Sequence, residues 1–198
     1  MFEQLPTAPD VNPLRSLVTA LDADMITGSG KSYGILFDIE TTTSVVIAGM
    51  ELVLATTSPT NYEIWSKQGS WQDVNVDEPN YFAGFRKVSQ GSIDGEGASE
   101  FSYIPLHNFY DVIIQGGGRH AFWVTLSDDQ LSFINYDDEE GSISRHEMQS
   151  NVQVSSSDIT VLYGAAVRSY ALENADPATD FWYNSGFLGR IWYQKIIE

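Results

Sequence analysis

The chain has 198 residues, with 27 Asp and Glu against 10 Lys and Arg, a formal net charge of −17. Nucleic acid and anionic membrane surfaces would repel such a chain and are excluded as expected partners. Cysteine is absent, which removes disulfides, thiol nucleophiles and thiolate metal sites. One domain of this length buries roughly 70% of its unfolded surface and needs no metal staple. No apolar run approaches the roughly 20 residues needed to span a bilayer, and MFEQLPTAPDVNP lacks the basic and apolar regions of a signal peptide.

Pro6, Pro9 and Pro13 mark residues 1–13 as a flexible N-terminal arm, leaving 14–198 as a single domain. Leu14, Leu17, Val18 and Leu21 recur at helical spacing after Asn12-Pro13 and predict one short helix, although Ser16 to Ala20 equally suits an edge strand. Gly28-Ser29-Gly30-Lys31-Ser32 carries the second half of a phosphate-binding loop. The glycine that should precede Gly30 by five positions is Met25. The motif also needs a helix after it. Here Tyr33, Ile35, Phe37 and Ile39 alternate with Gly34, Asp38 and Glu40, which is the period of a strand, with Leu36 the exception. Gly28–Ser32 is therefore a turn with an exposed Lys31, and Phe37 and Ile39 face the core. No nucleotide site is assigned.

Strand and turn signals then continue to the end of the chain. Ser44 to Ala55 is apolar on both faces and predicts a central strand, with a bulge at Gly49. Tyr62–Lys67, Phe85–Gln90, Glu100–Leu106, Val112–Gln115, His120–Leu126, Leu131–Tyr136, Ile159–Val167 and Gly186–Ile197 read as further strands. Turns or loops separate them at Ser58–Asn61, Gln68–Ser70, Gly91–Gly97 and Gly116–Gly118. The expected fold is all-β: an antiparallel, jelly-roll-like β-sandwich of about nine or ten strands, with at most the one short N-terminal helix.

Several of these stretches, taken in order, resemble one family. Gly34-Ile35-Leu36-Phe37-Asp38, Tyr62-Glu63-Ile64-Trp65 with Lys67-Gln68-Gly69-Ser70-Trp71, His120–Thr125, Leu131–Asn135 and Gly164–Tyr170 are similar to the successive signatures of a β-sandwich domain family of unknown activity. That family is found in predicted exported bacterial proteins and is expanded in diatoms. The closing Arg190-Ile191-Trp192-Tyr193-Gln194 departs from its pattern. The resemblance implies a sandwich fold and an extracellular or cell-surface setting, and it implies no activity.

Aromatics at sandwich edges stack on sugar rings. Trp71, just after a turn, and Trp182 with Tyr183, in the loop-like Asp180–Tyr183, are the ligand-binding candidates. The competing role is to staple loops onto the sandwich. Trp65, Trp123 and Trp192 lie inside strands and read as core. Acidic loops occur at Asp94 with Glu96, at Asp128-Asp129 and at Asp137-Asp138-Glu139-Glu140. Asp137, Asp138 and Glu139 are the candidate metal ligands, for calcium, which takes six to eight oxygens. EF-hand spacing is absent, and a solvated loop is the competing reading. His107, His120 and His146 have no metal-motif spacing and no nucleophile motif beside them, so no catalytic residue is assigned. The leading expectation is a non-catalytic structural or interaction domain that associates with itself or with other proteins. A glycan-binding module, with calcium as its candidate cofactor, comes next. A carbohydrate-active enzyme with paired carboxylates comes last.

Overall fold

The computed structural model describes residues 13–18, 30–73, 82–135, 152–170 and 179–196. The alternating and β-branched stretches become fourteen strands within them. These are β1 (Arg15–Val18), β2 (Gly30–Ser32), β3 (Gly34–Thr41), β4 (Val45–Leu52), β5 (Thr60–Gln68), β6 (Arg86–Ile93) and β7 (Ser102–Tyr103). Then come β8 (Val112–Ile114), β9 (Arg119–Leu126), β10 (Leu131–Asn135), β11 (Val152–Ser155), β12 (Ile159–Val167), β13 (Phe181–Phe187) and β14 (Gly189–Lys195). Among the described residues one 3-10 turn, Leu106–Asn108, interrupts them, and no described helix is long and apolar enough to cross a membrane.

Two antiparallel sheets pack face to face. The smaller runs β1-β14-β4-β7, with β8 also on β4. The larger runs β2-β10-β13-β12-β3-β9-β5-β6, with β11 also on β12. The predicted all-β sandwich is therefore present, with more strands than the nine or ten expected. The additional ones are short or lie where the sequence read as turn: β1, β2, β11 and the first half of β13. The short N-terminal helix is not formed. Arg15–Val18 instead pairs with β14 as an edge strand, the alternative the sequence offered for Ser16–Ala20, and Leu17 lies opposite Ile191 and against the core, so packing overrides the helical spacing. A strand over Gly30–Ser32, paired with Leu131–Phe133, likewise disposes of the phosphate-loop reading. The expected strand over Glu100–Leu106 shortens to Ser102–Tyr103.

β3 sits near the centre of the large sheet and is buried on both faces. Ile35, Phe37 and Ile39 face the small sheet and join Ile47, Met50, Phe122, Val124, Val161 and Phe187 in the main core. Phe37 lies between Phe122 and Phe187, at centroid distances of 5.8 and 4.5 Å. Leu36, the exception to the alternation, faces outward into a second apolar layer with Trp71, Phe85, Trp123, Val167 and Phe181. The chain was expected to cover β4 on both faces; in fact β3 is the strand so covered, while Val46 and Ala48 of β4 stay half-buried.

The sheets are laced together at their flanks. Between β7 and β8 the chain leaves β4 and reaches across to β6, where Tyr110 N–H donates to the Val88 carbonyl at 2.7 Å. Beyond β4, Ser132 N–H donates to the Val53 carbonyl at 3.0 Å and joins the end of that strand to β10. Asp158 holds β1 and β14. It is buried and accepts from Lys195 Nζ at 3.3 Å, from Arg15 Nη1 and from Tyr193 Oη at 3.4 Å. Burial alone would raise its pKa, but the hydrogen bonds and charges of Lys195 and Arg15 outweigh this and hold it below the usual carboxylate range.

The register of β12 shifts against both β3 and β13 around Gly164. A Cβ there would stand 1.7 Å from the Leu36 carbonyl oxygen, so the bulge admits only glycine. Gly164→Ala is expected to cost about 3 kcal/mol, because backbone at the centre of the sheet must move. Urea unfolding measures it, and a loss below about 0.5 kcal/mol would show that the bulge relaxes freely.

Candidate functional sites

On the outer face of the large sheet, β5 ends in a tight turn at Gly69, which takes a positive φ of 84°. The turn folds Ser70 and Trp71 back over β3. Asp38 of β3 receives them: Ser70 Oγ donates to Oδ2 at 2.5 Å and Trp71 N–H to Oδ1 at 3.0 Å. Asp73 closes the turn by accepting from Ser70 N–H at 2.7 Å. Trp71 is thereby buried, 1% exposed, against Phe181 and Tyr183. It is no ligand platform; its role is the loop staple that was the competing reading. Burial pushes the Asp38 carboxyl up to about 6, against the lowering effects of Ser70, Trp71 and Arg119. A raised carboxyl often marks catalysis. Here Asp38 is closed over by its own turn, and Arg119 ties it to Glu40 at the sheet surface.

Trp182 and Tyr183 do come together. They open β13, where the sequence read as a loop, and line a cleft of about 330 Å³ with Gly30, Phe133, Asn135 and Phe181. Trp182 is 37% exposed. The Arg168 guanidinium lies over its ring at 3.8 Å, and Phe133 flanks it at 5.7 Å. Tyr183 is half-buried and stacks on Trp71 behind the cleft. Asp137, Asp138 and Glu139 lie outside the described residues. Among the described residues no group of three or more His, Asp or Glu side chains is placed to hold a metal ion.

Sequence reasoning missed two further places. One is the outer face of the small sheet. Tyr103 and Ile113 stand there 54% and 51% exposed, beside half-buried Val46, Ala48 and Trp192. Its one carboxylate on the paired strands, Glu51, is neutralised by Arg190 at 2.9 Å and accepts from Trp192 Nε1 at 3.2 Å. Arg190 in turn stacks on Phe101 and Trp192. The other is a cavity of about 430 Å³ at the mouth between the sheets, lined in part by Ser66, Gln68, Arg86 and His120. The alternation of His120 with Phe122 and Val124 was its only sequence signal. Ser66 Oγ and His120 Nδ1 are 3.4 Å apart, and burial, then the charge of Arg86, lowers the His120 pKa.

Neither protein-family models nor curated proteins match the chain.

The Asp38 pKa carries a sign that can be measured. Folded, Asp38 keeps its proton up to about pH 6; unfolded, it loses it near 3.8. Between these values the folded state binds more protons, so this group's contribution to stability falls as pH rises and is level above pH 6. Relative to Asp38→Asn, the wild type should lose up to about 3 kcal/mol between pH 4 and pH 6.5. Parallel stability curves for the two proteins would show that Asp38 does not titrate in this window.

Proposed function

We propose that this chain is a non-catalytic association domain, and that the outer face of its small sheet binds a second copy of the chain. The observation that carries the proposal is the charge of that face. On a molecule of net charge −17, the strands of this face present Tyr103, Ile113, Val46, Ala48 and Trp192 and a single carboxylate already matched by Arg190. Two copies meeting there bring together strands whose one carboxylate is already matched, whereas surfaces richer in acids would repel. Exposed apolar side chains grouped in this way mark contact surfaces.

The free edges support face-to-face rather than edge-to-edge contact. β1 has four residues and β2 three, too short to template a partner strand. The longer edge strand β6 is bridged by Phe109 and Tyr110. An extracellular or cell-surface setting, which the family resemblance implies, suits such a domain and is part of the proposal.

A second reading rests on a different observation, the solvent-open Trp182 in its cleft beside Tyr183 and Asn135. Indole, phenol and amide together suit a glycan. A glycan panel tests it with and without calcium: binding lost in Trp182→Ala would support it, and no binding to any glycan would end it.

For the association domain the decisive variant is Tyr103→Asp, which puts an unpaired charge on an exposed position of the face. Light scattering coupled to size exclusion should find wild-type dimers at high protein concentration and monomers for the variant, with unchanged circular dichroism. A wild type that stays monomeric at hundreds of micromolar would refute the proposal.

A further inference from the structure

We propose that the mouth between the two sheets is a binding site for an oxyanion group, a carboxylate or phosphate, held by Arg86 with His120, Ser66 and Gln68. The site adjoins the association face, since Ile113 borders both, but the inference does not rest on that face binding a second copy.

The strands themselves aim these groups inward. On β5, Tyr62 and Ile64 point into the main core. Two and four residues further, Ser66 and Gln68 continue that same face, with Ser66 opposite Phe122 and Gln68 opposite His120 on β9. His120 in turn lies opposite Ile39 of β3, whose side chain is core. Arg86 pairs with Ser66 at the start of β6, on the same face as core residue Val88. The inner face of the large sheet thus changes from apolar to polar as it reaches the mouth. Gln68 and Arg86 reach solvent there, His120 is half-buried and Ser66 is buried, so a ligand entering the mouth meets polar groups on one wall.

The charge of the cavity is the unexpected part. Arg15, Lys87, Arg119, Arg190 and Lys195 are all matched by carboxylates. Lys67 turns away, its ammonium donating to the Asp73 carbonyl at 3.2 Å. Among the described residues no carboxylate pairs with Arg86. Lys31 and Arg168 likewise have no carboxylate partner among the described residues, but of these three only Arg86 lines the cavity. The arginine fork suits a two-oxygen group. Ser66 is 1% exposed and adds a hydroxyl, Gln68 adds an amide, and His120 adds a ring nitrogen. Across the cavity, Ile114 and Gln115 of the opposite sheet complete the wall. The volume of about 430 Å³ exceeds what a bare ion fills, so there is room for the body that bears the oxyanion.

NMR titration with sodium phosphate and, separately, sodium acetate tests this at constant ionic strength, following the His120 ring and Arg86 Nε–H signals. Saturable shifts are expected in the millimolar range. Arg86→Gln should weaken binding by at least about tenfold. Arg86→Lys, which keeps the charge and loses the fork, should fall between. Amide spectra of both variants should match the wild type, since Arg86 lies exposed at a strand end. Saturation by phosphate alone assigns a phosphate-bearing ligand; saturation by both admits a carboxylate. No saturable shift at His120 with either salt, or full affinity in Arg86→Gln, would overturn the proposal.

Discussion

A chain of net charge −17 folds only if its carboxylates are kept out of the interior or tied down within it, and that constraint organises this molecule. Asp158 is buried but gathers Arg15, Lys195 and Tyr193, so it fastens both ends of the described chain to the turn before β12. Glu51 is held by Arg190 and Trp192 on the face of the small sheet. Asp38 is buried with only a distant arginine, 3.6 Å away, and its pKa rises. Desolvation costs several kcal/mol for an unmatched buried ion, and these three residues show three degrees of repayment. Asp158 is the best matched and Asp38 the least.

The burial of β3 on two sides explains why Asp38 is where it is. A strand with a core on one face and solvent on the other reads as a clean alternation. β3 carries the main core on its odd positions and an aromatic layer on Leu36, so its outer face must be roofed. The roof is the segment after β5, folded over by Gly69 and anchored by Ser70 and Trp71 on Asp38. Trp71, Phe181 and Tyr183 then form a wall whose far side borders the Trp182 cleft. The same turn brings β5 to its end beside His120, with Gly69 bridging to it, where the inner face turns polar. One latch therefore positions parts of two separate cavities.

Much of this was legible in the sequence. Period-two patterns located β3, β5 and β9, strand signals located β12, and Phe37 and Ile39 were assigned to the core, where they lie. Gly49 was rightly read as a bulge, since the β4–β14 register shifts beside it. What was hidden depended on long-range pairing. Arg15–Val18 is helical in spacing and becomes a strand because β14 offers an edge. Phe181–Tyr183 looks like a loop until β12 pairs with it. Trp71 follows a turn and so reads as exposed; only the Asp38 carboxylate, 33 residues earlier, draws it inward. Neither functional surface had a local signature. The face around Tyr103 and Ile113 is assembled from strands far apart in the chain. The polar mouth is built from Ser66, Arg86 and His120, on three strands that the sequence does not show to be neighbours.

If the neutral face of the small sheet is what lets these acidic molecules meet, salt reveals it. Sedimentation equilibrium of the wild-type chain across a salt series measures the dimer directly. Apolar contact between two repelling bodies predicts a dissociation constant that falls as ionic strength rises from about 20 to 500 mM, because screening removes the repulsion and no ion pair crosses the contact. A dimer that weakens with salt, or a chain that stays monomeric throughout, would contradict the account.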